Sequence, residues 1–161
     1  MKFDFNQSTK VAIEKWLFFT ILGVILAIIS LYVINVLVSL YDQQALTDFA
    51  SSQNIISEDE AWVKFRQILI IKIVINSVVY IFYAILNYFA WKSIKVGYIY
   101  VLFWSFVNIA SILSVWLTPS SPIWLSVLIT IFNVVLLALL FYIFVLLKQN
   151  RFYVNNQRRW T

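Results

Sequence analysis

The side chains with chemical capacity inside the apolar stretches of this chain are amides and hydroxyls, and their spacing sets them in lines. Asn76, Tyr80, Tyr83 and Asn87 follow one another at steps of four, three and four, so an α-helix carries all of them on a single face. Such groups donate and accept hydrogen bonds, and none of them is a ready proton acceptor at neutral pH. The chain has neither His nor Cys, which removes the commonest general base, the commonest metal ligand, the thiol nucleophile and the disulfide. Carboxylates keep clear of the apolar runs, with Glu14 before the first and Asp42 after it, so no relay of acids crosses them. Ser and Tyr hydroxyls remain as nucleophiles without a base to activate them. The expectation is no catalytic residue, no cofactor and no metal site. The consecutive acids Glu58, Asp59 and Glu60 splay around a helix and lack the spacing of a calcium loop, so they fit a helix start that favours negative charge.

An unpartnered amide in hydrocarbon costs several kcal/mol, so the Asn76 line must turn toward other helices. The elements that position it follow from composition. With 63% hydrophobic and 12% charged residues and a mean hydropathy of +0.88, the chain is far more apolar than a soluble domain. The expected fold is an all-α integral membrane protein, a single four-span antiparallel bundle over 1–161, with spans near 16–41, 68–91, 98–117 and 123–147. The first run of 26 residues, Trp16 to Tyr41, reaches about 39 Å against a hydrocarbon core of about 30 Å. Ser8 or Thr9 is placed to cap the helix that enters it. In this run Gly23, Ala27 and Ser30 form a small-residue face that lets another helix approach, while Tyr32, Asn35 and Ser39 make a polar face on the other side.

The connection 42–67 is acidic, and Ser57 with Glu60 reads as a capping box that starts a helix, with Trp62, Phe65 and Leu69 along one side as an interfacial lead-in. Residues 42–57 read as a loop. Lys92, Lys95 and Gly97 mark a tight link, and Thr118-Pro119-Ser120-Ser121-Pro122 separates the last two spans. Tyr100, Trp104, Asn108, Ser111, Ser114 and Thr118 share one side of span three, and Ser126, Thr130 and Asn133 share one side of span four. The candidate site is this set of intramembrane polar faces: Asn35, Asn76, Tyr80, Tyr83, Asn87, Asn108, Ser111, Ser126, Thr130 and Asn133, packing together or lining a path. Asn76→Leu and Asn133→Leu are expected to disturb the bundle more than Asn87→Leu, which lies nearer an interface.

Lys2, Lys10, Lys15, Lys92, Lys95, Lys148, Arg151, Arg158 and Arg159 fall on one side of the spans, and Lys64, Arg66 and Lys72 on the other. The excess puts both termini in the cytoplasm of a cell, a bacterial one by expectation, and the acidic connection outside. Lys148, Arg151, Arg158 and Arg159 of the basic tail 148–161 are expected to contact the anionic inner leaflet, so the net charge of +5 reports orientation, and no nucleic-acid partner is implied. The expected partners are the lipid bilayer and another membrane protein, or further copies of the chain. A secondary transporter would show breaks inside its spans, whereas only Gly23 interrupts these runs. The expected function is a non-catalytic multi-pass membrane protein acting by protein contact, as an accessory subunit, scaffold or immunity-type protein. The alternative is a homo-oligomeric pore, holin-like protein or small transporter lined by the Asn, Ser and Tyr faces.

Overall fold

The computed structural model describes residues 10–117 and 122–158, with side chains described as far as Gln149. The helices are α1 (Lys15–Tyr41), α2 (Gln43–Ser52), α3 (Glu58–Lys92), α4 (Tyr98–Trp116) and α5 (Ile123–Arg158). No strand occurs among the described residues, and the single isolated bridge pairs Val11 with Val96. α1, α3, α4 and the Ile123–Gln149 part of α5 are each long and apolar enough to cross a membrane. They run unbroken because no Pro and only Gly23 lies within them, so each backbone hydrogen bond has its partner one turn away.

α1 packs against α3 and α5, and α5 packs against α4. The shared core takes Leu17, Ile21, Ile25 and Ile28 from α1, Ile129, Leu136 and Leu140 from α5, and large rings from the other two helices. α3 and α4 approach each other less closely along their backbones. Their seam is filled by side chains, with Tyr83 stacked on Trp104 at 3.9 Å between ring centroids and 11° between planes.

α1 starts at Lys15 after Glu14, which corrects the expected start at Ser8 or Thr9; those two lie outside the described residues. The reason is that the preceding stretch spends its backbone groups elsewhere. Val11 and Val96 exchange both N–H···O bonds at 2.9 Å, and Ile13 N–H donates to the Ala90 carbonyl at 3.4 Å. The small-residue face also departs from expectation. Gly23 and Ser30 are exposed and Ala27 is half-buried, and a Cβ on Gly23 would meet no atom within 4 Å. No described residue therefore closes on Gly23.

The connection 42–67 is more ordered than its sequence implies. Asp42 Oδ1 accepts from the Gln44 and Ala45 amides at 3.0 and 3.3 Å, capping α2 where its first amides have no intrahelical acceptor. α2 then buries Ala45 and rests Leu46 and Phe49 on Val36, Phe65 and Leu69. It ends in a Schellman turn: Ile55 N–H reaches the Ala50 carbonyl at 2.9 Å and Asn54 N–H the Ser51 carbonyl at 3.3 Å, with Asn54 at φ 52°. Asn tolerates this left-handed conformation better than most residues. Ser57 does stand at the N-cap of α3, but its side chain makes no capping bond. Glu60 instead pairs with Lys64 at 2.6 Å, an exposed contact of little weight. Ala61, Phe65 and Leu69 form the buried side of this turn, while Trp62 stays 40% exposed. Lead-in and span are one continuous helix of 35 residues. Asp42→Ala should cost about 1 kcal/mol, read as faster amide hydrogen exchange across 43–52 with α1 and α3 unchanged.

The tail is likewise helical as far as Arg158 and continuous with α5. Of the expected link 118–122, residues 118–121 lie outside the described residues; the Pro122 carbonyl accepts from the Leu125 and Ser126 amides at 3.0 and 3.1 Å.

Candidate functional site

Inside the bundle, one polar side chain from each of the four long apolar helices closes on the others. Tyr32 of α1 stands 2.8 Å from Ser111 Oγ of α4. Ser111 Oγ is 2.9 Å from Tyr80 Oη of α3, and Tyr80 Oη is 2.6 Å from Asn133 Oδ1 of α5. Proton counting orders this chain. The Asn133 carbonyl oxygen only accepts, so the single Tyr80 proton goes to it. Ser111 then donates to Tyr80, and Tyr32 donates to Ser111. The amide orientation is itself anchored, because Asn133 Nδ2 donates to the Ile129 carbonyl one turn back at 2.8 Å. All members are buried, with Tyr32 2%, Tyr80 1%, Ser111 8% and Asn133 0% exposed. Bonds in one direction polarise one another, and burial in a low-dielectric core strengthens them.

Along α3 the expected line resolves unevenly. Tyr80, Tyr83 and Asn87 are buried. Asn76 is half-buried and turns its amide to the Lys72 carbonyl of its own helix at 2.9 Å. Asn87 Nδ2 crosses to the Phe18 carbonyl of α1 at 3.3 Å, and its Oδ1 takes no partner among the described residues. On α4, Asn108 is fully buried and donates to the Trp104 carbonyl at 2.6 Å. On α5, Ser126 is buried and Thr130 half-buried, and Thr130 Oγ1 accepts from Trp116 Nε1 at 3.0 Å while donating to the Ser126 carbonyl at 2.7 Å. Asn35 lies in the core at 3% exposure, three residues beyond the α1 residue that enters the chain of bonds. Lys148 is exposed; Arg151 and Arg158 fall in the helical segment whose side chains are not described, and Arg159 lies outside the described residues.

The residue that site reasoning passed over on α1 is Tyr32. It was legible as part of the Tyr32, Asn35, Ser39 face, and its phenol carries the hydroxyl across to Ser111 of α4. The Asn76 back-bond alters the expected ranking: Asn76→Leu should be nearly neutral and Asn133→Leu clearly destabilising, compared by thermal unfolding in one detergent. A substitution that only removes a bond within one helix leaves no acceptor stranded on a neighbour.

The arrangement binds helix to helix. It contains no acid, no imidazole and no thiol, and it encloses no gathered set of metal ligands among the described residues. Compared with protein-family models, with curated proteins and with solved structures, the chain matches none.

Proposed function

We propose that this chain is a non-catalytic multi-pass membrane protein that works by contact with another membrane protein, as an accessory subunit, scaffold or immunity-type factor. In this reading its spans form an antiparallel bundle in a bacterial cytoplasmic membrane, with both termini in the cytoplasm. The observation that carries the contact role is that the polar faces are spent inside one copy: Tyr32, Ser111, Tyr80 and Asn133 bond to one another. A homo-oligomeric pore or small transporter would need those same groups turned to a lumen between copies, which favours the contact reading. The folded cap of α2 on α3 supports the contact role further. It presents Asp48, Glu58 and Asp59 to solvent, beside an Ile56 at 103% exposure, on a surface ordered by the Asp42 cap and the Asn54 turn.

The test has two arms. Purified protein in liposomes should give no ion or solute flux above protein-free vesicles, and a partner should co-purify from native membranes in fixed ratio and be lost with Glu58→Lys and Asp59→Lys together. Flux that rises with protein content would contradict the contact role and restore the pore. The orientation is tested separately: an impermeant thiol reagent on intact cells should label Ser51→Cys and spare Lys148→Cys.

A further inference from the structure

Where α1 begins and α3 ends, aromatic rings and ammonium groups share one corner. Phe18 stacks on Trp91 at 4.7 Å and 15°. Phe19 and Tyr88 each stand 6.1 Å from the same indole. Lys92 Nζ lies 5.5 Å from the Tyr88 ring centroid and 5.8 Å from that of Trp91, a double cation–π contact that holds the ammonium against the rings. Phe19 and Tyr88 are 52% and 41% exposed, so the ring cluster presents an apolar wall on the outer surface of the bundle. Alternate residues of extended backbone point to opposite sides. With Val96 buried and Val11 half-buried in the bridge, Lys10 and Lys95 therefore turn outward together, and both are exposed.

None of Lys10, Lys15, Lys92 and Lys95 has a carboxylate partner among the described residues. The nearest acid in sequence, Glu14, accepts from Trp16 Nε1 instead. An apolar ring wall topped by unneutralised ammonium groups, at the end of helices long enough to reach the headgroups, matches an amphiphile with a negative head.

We propose that this corner binds an anionic phospholipid, its phosphate among Lys10, Lys92 and Lys95 and an acyl chain along Phe19 and Tyr88. The proposal rests on the membrane reading and is independent of the contact role. A zwitterionic lipid brings an ammonium of its own, which these lysines repel, and free phosphate has no chain to lay against the wall.

Brominated phosphatidylglycerol and brominated phosphatidylcholine test this in vesicles holding the full chain, with Trp91 quenching taken as the difference between the unaltered protein and Trp91→Phe. Phosphatidylglycerol should quench Trp91 at a mole fraction lower by roughly fivefold or more, the effect of about one ammonium near a headgroup. The ratio should fall near one in a Lys92→Gln, Lys95→Gln protein of unchanged helicity. Equal quenching by the two lipids, or a preference that survives the double substitution, would overturn the proposal. So would competition by added inorganic phosphate, which would reassign the site to the free ion.

Discussion

Trp104→Ala should lower the stability of the folded bundle by about 3 kcal/mol, the low end of the usual range for deleting a buried aromatic ring. In lipid, transfer of apolar surface from water gives no drive between helices, so packing carries more of the weight. Trp104 is 1% exposed and stacks on Tyr83 at 3.9 Å, in the seam between α3 and α4, whose backbones approach less closely than those of the directly packed pairs. Neither helix can close the void by a small shift, since α3 is held by α1 and α4 by α5. Trp104→Phe should recover about half of the loss by restoring a ring to the stack. The measurement is the unfolding midpoint in a denaturing detergent titrated into a mild one, followed by helicity. Equal midpoints for Trp104→Ala and the unaltered protein would mean that the α3–α4 seam is not closed by these rings.

Tyr80→Phe is the second large effect. The deleted hydroxyl serves two neighbours, donating to Asn133 Oδ1 and standing 2.9 Å from Ser111 Oγ. Its loss strands an acceptor on α5, for an expected cost of about 1–2 kcal/mol, above the average of about 0.6 kcal/mol for an interhelical bond in a membrane. Tyr32→Phe should cost less, because Ser111 keeps Tyr80 as a partner. In a double-mutant cycle, Tyr80→Phe and Asn133→Leu should couple, each losing most of its effect in the presence of the other. Strict additivity would show that the 2.6 Å contact contributes nothing.

These residues show what helical periodicity reveals and what it leaves out. Tyr80, Tyr83, Asn87, Asn108, Ser111, Ser126 and Asn133 recur at helical spacings and are buried, as expected of a polar group in an apolar helix. Periodicity gives direction, and it does not give reach. Asn76, Asn108 and Asn133 all return their amide N–H to the carbonyl four residues back, an interaction open to a short side chain on any helix. The phenols of Tyr32 and Tyr80 carry their hydroxyls across the core, and together with Asn87 and Trp116 they bond one helix to another. The small-residue face of Gly23, Ala27 and Ser30 failed for a related reason. Small residues permit close approach without demanding it, and here α1 turns Leu17, Ile21, Ile25 and Ile28 to its neighbours instead. α2 escaped the sequence reading because Ala45, Leu46 and Phe49 are too few apolar positions to mark a helix, and only the Asp42 cap and the surface of Val36, Phe65 and Leu69 complete it.

Because the chain contains no Cys, a single thiol reports on one place alone. Ser111→Cys, nearly the same size as the residue it replaces, puts that thiol where the four spanning helices meet. Labelled in liposomes with a small water-soluble thiol reagent, it should stay unreacted for as long as the bundle is folded and react fully once denatured. Rapid labelling of the folded protein at this position would mean that water reaches the meeting point of the polar faces, and the closed, contact-making bundle described above would have to give way to a water-lined path.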